Sequence, residues 1–266
     1  MTWVPSGRVG QPTVYADDDA QAPELQRWGS VRPRPLAFCN DLELSADGRR
    51  IYFSEPFAYT GASMGRGAVK EAVSLGANGR LWRYDLDTRR TRLIAQGFHF
   101  IDGVLIDLHP EGAREESLLV SQTPLFRLTR FFIDGPRAGQ FETVLDALPG
   151  MPDGLDRDAQ GRIWVGLIQM RGPLLTWLHQ NPWIKPLLLR LPLERLPSSR
   201  RTGVLVLSPD GARPVYAAAY DGPSLSHIAS AIPSPHGVYL ATFRLEHRGI
   251  VRMRDPLSLQ VPQGPE

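Results

Sequence analysis

Cysteine is almost absent. Cys39 is the only one in 266 residues, so neither an internal disulfide nor a zinc site built from several thiolates can form. Lysine is nearly as scarce: Lys70 and Lys185 stand among 30 basic residues, and the formal net charge is +2. With so little excess charge and no long basic run, the chain lacks the footprint of a nucleic-acid binder. No stretch approaches the ~18 consecutive apolar residues of a membrane-spanning helix. Met1–Asp19 has neither the basic start nor the apolar run of a secretory signal, so a cytoplasmic location is the expectation.

What is present is a core and much punctuation. Hydrophobic residues make up 42% and charged residues 22%, the balance of a chain that packs rather than one that stays disordered. Glycine and proline together account for 49 of 266 residues, which suits many short strands joined by turns better than long helices. Four segments repeat one pattern of opening residues, polar turn and β-rich run: 40–55 (NDLELSADGRRIYFSE), 102–123, 153–168 (DGLDRDAQGRIWVGLI) and 226–243. Their starts are 62, 51 and 73 residues apart. A second strand pair follows the first three, over 79–97, 126–145 and 203–219, with turns at 85–89, 134–136 and 209–211. Four antiparallel strands per ~50 residues is the blade of a β-propeller. The fold expected is therefore all-β, a propeller with four to five blades over 39–258.

Two stretches break this rhythm. Residues 1–38 are proline-punctuated and read as irregular chain or the remnant of an earlier blade. Residues 259–266 read as a tail. Within 173–201, the run PLLTWLHQNPWIKPLLLRLPLERL is apolar but cut by prolines at 182, 186 and 192, so it reads as short helical turns inserted between strands. A single Asp-Gly pair is most simply a turn, but 102–103 and 153–154 hold matched positions in the repeated units, which makes the turn the lesser reading there. Asp156 and Asp158 read as strand-end and turn residues, Trp82 and Trp164 as blade packing, and Cys39 as a small buried apolar residue. His227, beside Ser226 at the fourth opening, is a candidate proton carrier near neutral pH. His99 is a weaker candidate for the same role.

The strings FCNDLELSADGRRIYFSE, LWRYDLDTRRTRLI, FIDGVLI and RLTRFFIDGPRAGQFETVLDALPGMPDGLDRDAQGRIWVGLI, with the PLL…LLLRLP insertion, resemble one family. It is the strictosidine synthase-like and adipocyte plasma membrane-associated branch of the gluconolactonase and paraoxonase superfamily, and the likeness runs from about Leu36 to Met253. It implies a six-bladed propeller with a metal, usually calcium, in its central channel. The family's first one or two blades have no counterpart in this sequence. By position, the implied ligands are Asn40 (with Asp41 behind it), Asp102 and Asp153. Asp102 stands where the family has asparagine. A further ligand, a first-blade glutamate, has no match, and Glu24, Asp17, Asp18 or Asp19 could substitute for it.

The expected activity is calcium-dependent hydrolysis of esters or lactones, with Asp153 and His227 assisting proton transfer. Leu174, Trp177, Trp183 and Leu187 would form a lid over the channel mouth, or give peripheral membrane contact through 173–196. A homodimer could cover the open edges of an incomplete ring. Two alternatives stand beside the hydrolase. One is a non-catalytic binding scaffold. The other, a strictosidine synthase-type condensing enzyme, is disfavoured because Ser226 occupies the position of that enzyme's acid–base glutamate.

Overall fold

The computed structural model describes residues 13–14, 36, 38–59, 63–108, 115–190, 199–243 and 250–257. It contains four antiparallel sheets, the blades of a β-propeller. Blade 1 holds β2 (Leu42–Leu44), β3 (Arg50–Glu55), β4 (Gly79–Asp85) and β5 (Arg90–Phe98), with the two-residue β1 (Thr13–Val14) pairing to the outer edge of β5. Blade 2 is β6 (Ile101–Leu108), β7 (Glu115–Gln122), β8 (Arg127–Phe132) and β9 (Phe141–Leu145). Blade 3 is β10 (Gly150–Arg157), β11 (Ile163–Met170), β12 (Thr202–Leu207) and β13 (Pro214–Tyr220). Blade 4 has three described strands, β14 (Ile228–Ser234), β15 (Gly237–Thr242) and β16 (Val251–Met253).

Why the middle strands are continuous apolar runs follows from the radial stacking of the sheets. Successive side chains on a strand point to opposite faces, and in an interior blade both faces are covered. Val104, Ile106, Leu118 and Val120 pack toward blade 1 with Tyr52, Leu81 and Phe98. Their neighbours Leu105 and Leu119 turn the other way, joining Ile163, Val165, Leu205 and Leu207 in the seam between blades 2 and 3. Trp164, Val204 and Val206 then face Ile228, Ala231, Val238 and Leu240 of blade 4. Each fully buried aliphatic side chain contributes roughly 1.5–3 kcal/mol, so these seams are the main source of stability. The two end blades each keep one face that no described blade covers: Leu42 and Leu44 on β2 are 61% and 51% exposed, and Ile232 on β14 is 44% exposed.

Asp-Gly pairs come in two kinds. Gly48 and Gly211 have φ of +68° and +75°, the left-handed turn expected of them. Asp47 accepts the Ser45 hydroxyl (2.6 Å) and the Arg49 amide (3.0 Å), and these bonds with Arg50 hold its carboxyl down at about 2. Gly103 and Gly154, by contrast, lie inside β6 and β10. The turn that an isolated Asp-Gly pair favours is thus not formed at 102–103 or 153–154. The register shows why: Ile101 pairs Gln122 and Val104 pairs Val120, so Asp102 and Gly103 together oppose Ser121. Likewise Pro152 pairs Leu167 and Leu155 pairs Val165, so Asp153 and Gly154 oppose Gly166. Each pair is a β-bulge, a device that re-aims a side chain. Glycine is needed there for close approach, since a Cβ on Gly103 would sit 2.4 Å from the Asp153 carbonyl oxygen.

Candidate functional site

The bulges deliver their carboxylates to one place. Gly103 N–H donates to Ser121 Oγ (2.8 Å), and that hydroxyl donates to the Asp153 carbonyl (2.8 Å), tying blade 2 to blade 3. Blade 1 joins through Asp41. One of its carboxylate oxygens accepts the Leu42 amide (2.9 Å) and the other the Val104 amide of β6 (2.9 Å), while its own N–H donates to Ser54 Oγ (3.1 Å). Asp41 is therefore a brace, and it holds Asn40 so that the Asn40 amide contacts Asp102 Oδ1. The Asp102 and Asp153 carboxyls face each other closely enough to share a proton, with the Thr123 hydroxyl beside Asp102. Asn40, Asp102 and Asp153, separated by 62 and 51 residues, meet across three blades.

The electrostatics of this cluster are unfavourable as it stands. Both aspartates are buried, and Asp153 Oδ2 has no hydrogen-bond partner. Burial, then the charge of Asp41, raises Asp102 to about 6. Burial, then the Asp102 carboxylate beside it, pushes Asp153 well above the usual carboxylate range. Farther along β2, burial and then Asp41 and Asp156 raise Glu43 to about 7. Buried like charges cost free energy unless a cation or proton neutralises them.

These oxygens fit a hard divalent cation. Asp153 Oδ2 is unused, the Asp102 carboxylate adjoins it, and rotation of the Asn40 amide would present its oxygen, an all-oxygen donor set of the kind calcium takes. No three His, Cys, Asp or Glu side chains among the described residues form a metal-holding group by themselves; here the third donor is an amide. Glu24, Asp17, Asp18 and Asp19 lie outside the described residues.

The other sequence candidates are placed differently. Ser226 is fully buried and its Oγ lacks a partner. His227, half-buried, precedes β14 with a left-handed φ of 56°, and its carbonyl accepts the Phe243 amide (3.4 Å). His99 is held by the Leu75 carbonyl through Nδ1 (3.0 Å), and burial pushes it below the usual histidine range. Asp158 organises a turn, accepting from Gln160, Arg162 and the Trp164 indole (2.9 Å). Asp156 accepts the next residue's amide (2.7 Å). Cys39 is exposed rather than buried: it precedes β2, where no described blade covers the chain.

A cap lies over the end of the propeller where β6 and β10 begin. It is built from the links between the second and third strands of blades 1 to 3: α1 (Met64–Ser74), the turn Thr123–Leu125, and α2 (Pro173–Gln180) with Pro182–Ile184 and α3 (Lys185–Leu188). Proline divides the insertion as expected. α1 packs on both α3 and the Thr123–Leu125 turn, and His179 Nε2 contacts the Ala72 carbonyl (3.0 Å). Burial drives His179 down to about 4, so it stays neutral. Glu71, buried beneath α1, accepts the Tyr59 hydroxyl (2.6 Å) and the Asn78 side chain (3.1 Å). Neither α1 nor Glu43 stands out in the sequence. Alternation in Leu42-Glu43-Leu44 was the one signal for Glu43, since Leu42 and Leu44 face away.

No protein-family model matches the chain. It is 34% identical to adipocyte plasma membrane-associated protein of Salmo salar over 60% of this chain and 38% of that one. It is 32% identical to protein strictosidine synthase-like 13 of Arabidopsis thaliana over 61% of this chain and 38% of that one. The chain thus spans about four tenths of the length of these relatives. Among solved structures, a gluconolactonase from Xanthomonas campestris aligns with a TM-score of 0.46 at 18% identity, covering 80% of this chain and 56% of that one. The chain is a homologue of the adipocyte plasma membrane-associated and strictosidine synthase-like proteins.

Proposed function

We propose that the protein is a calcium-dependent hydrolase of esters or lactones. One observation carries this reading: Asn40, Asp102 and Asp153 converge from three blades on a buried point where a carboxylate oxygen has no partner. Asn40, Asp102 and Asp153 would hold the cation, which when bound supplies positive charge to polarise a carbonyl and stabilise the developing oxyanion. The chain's own contribution is position and proton handling. Asp41 and Ser121 lock the two bulges in register, Asp153 carries the proton between water and leaving group, and the cap limits solvent. Ser226 lacks the carboxylate that a condensing mechanism needs.

The test is calcium titration followed by thermal unfolding, then turnover of aryl esters and lactones. Saturating calcium at about 100 times its Kd stabilises the native state by about 2.7 kcal/mol through mass action, and Asp153→Asn removes both that gain and the turnover. A calcium response without turnover of any ester or lactone would leave a metal-stabilised binding scaffold. No response to calcium, with Asp153→Asn behaving as wild type, would sink the metal reading.

A further inference from the structure

Lys185 is the anomaly of the cap. It is only 8% exposed on α3, yet no carboxylate is among the groups acting on it. A lysine that deep is almost always paired, because a buried ammonium loses its hydration without compensation otherwise. Its surroundings are set by α1, on which α3 packs. The Ala72 and Leu75 carbonyls, about one turn apart at the end of α1, hold His179 Nε2 and His99 Nδ1 at 3.0 Å each. The Lys185 charge acts on both rings. Glu71, on the same turn, is committed to Tyr59 and Asn78. Arg127, tied to Asp146 (2.9 Å), and Arg171, over the Phe126 ring (4.5 Å), add positive charge that acts on His99 and His179 respectively.

Hydrogen-bond chemistry narrows what such a place can hold. A carbonyl only accepts, so His99 Nδ1 donates its proton to Leu75, and Nε2 of the neutral ring is a lone pair. That Nε2 is buried and has no hydrogen-bond partner among the described residues. Lys185 and His99 thus offer a ligand one cationic donor and one neutral acceptor. They adjoin the paired carboxyls: the His99 N–H donates to Gln122 Oε1 (3.0 Å), and Thr123, next in the chain, sets its hydroxyl beside Asp102.

We propose that Lys185 and His99 form a subsite beneath the cap for a hydroxylated carboxylate, whose carboxylate accepts from the ammonium and whose hydroxyl donates to His99 Nε2. Resting on the hydrolase reading, this names the substrate class: esters or lactones that carry a free carboxylate with a hydroxyl near it. The positive field favours an anion over a neutral ligand. The lone pair on Nε2 repels a second anionic oxygen, and so selects a carboxylate with a neighbouring hydroxyl over phosphate.

Calorimetric titration of malate, succinate and inorganic phosphate into the full chain, freed of metal by ion exchange, reads the subsite without the cation. Malate is expected to bind about tenfold more tightly than phosphate or succinate, which lacks the hydroxyl. Lys185→Met weakens malate by about tenfold or more and, by removing an unpaired buried charge, raises the thermal midpoint. His99→Asn keeps a donor for the Leu75 carbonyl but removes Nε2, so malate falls to the affinity of succinate. Lys70→Met, at an exposed cation of α1, leaves all three affinities as they were. The proposal is overturned if malate does not bind, if phosphate matches it, if His99→Asn keeps the preference for malate, or if Lys185→Met binds malate as wild type does or lowers the thermal midpoint. With calcium added, a lactone bearing a free carboxylate shows a lower KM than its amide, a difference that Lys185→Met erases. Absence of turnover with malate binding intact fails the hydrolase reading alone, and a calcium response without malate binding fails the subsite alone.

Discussion

Asp102 and Asp107 are five residues apart on one strand, both buried, and their surroundings are opposite in kind. Asp107 is clamped by Arg130 Nη2 (2.6 Å) and Arg157 Nη2 (3.1 Å). Those guanidiniums are themselves committed: Arg130 to Glu142 (3.3 Å) and the Asp210 carbonyl (2.9 Å), Arg157 to the Gly161 carbonyl (2.8 Å). They line a cleft of about 890 Å³ at the end of the propeller away from the cap. At the other end Asp102 meets Asp153 and Asn40, and no cationic side chain is among the groups acting on either carboxyl. A buried carboxylate supplied with fixed cations holds blades together. A buried pair without them stores unfavourable energy that a bound cation can relieve.

The largest test of this contrast is Asp107→Ala. Removing the carboxylate strands two partly buried guanidiniums and is expected to cost about 4 kcal/mol in urea unfolding; a cost below about 1 kcal/mol would deny the clamp. Gly103→Ala comes next. Its Cβ must displace the Asp153 carbonyl across the seam, so a loss of about 3 kcal/mol and a weakened calcium response are expected together.

The third test is pH. Asp102 titrates at about 6 in the fold against 3.8 ordinarily, so the native state binds its proton more tightly than the unfolded chain does. In chelator, stability owed to this site therefore rises by about 2 kcal/mol as pH falls from about 7 to about 4, and is lost as pH rises again. Comparing urea midpoints of wild type and Asp102→Asn across this range isolates the effect, and equal slopes would remove it. The smallest change is Asp153→Asn at neutral pH in chelator. By ending the repulsion, it should stabilise the fold by about 1 kcal/mol, whereas a destabilisation would mean that Asp153 is satisfied after all.

How legible was this in the sequence? The blades were, because fully buried strands write themselves as runs such as Ile163–Leu167 and Val204–Leu207. The two kinds of Asp-Gly pair were not separable from the dipeptide itself. Serine two residues before and arginine two or three after mark the turns at Asp47 and Asp210, and Ile101 or Pro152 precedes the bulges. α1 was missed because its sequence, MGRGAVKEAVS, carries two glycines and a weak apolar stripe; packing on Phe57 and the insertion holds it more than propensity does. Cys39 was misplaced because burial depends on a neighbouring blade, which no local pattern announces.

The sequence by itself determined the period of the strands, the number of repeating units and the turns between them, since these depend on residues close together along the chain. Only the tertiary structure decided which aspartates face each other, which are clamped by arginine, and which apolar side chains of the insertion turn outward. Those outcomes rest on distances between atoms in different blades, and burial turns the same carboxyl group into either a brace or a binding site according to what the neighbouring blade places opposite it.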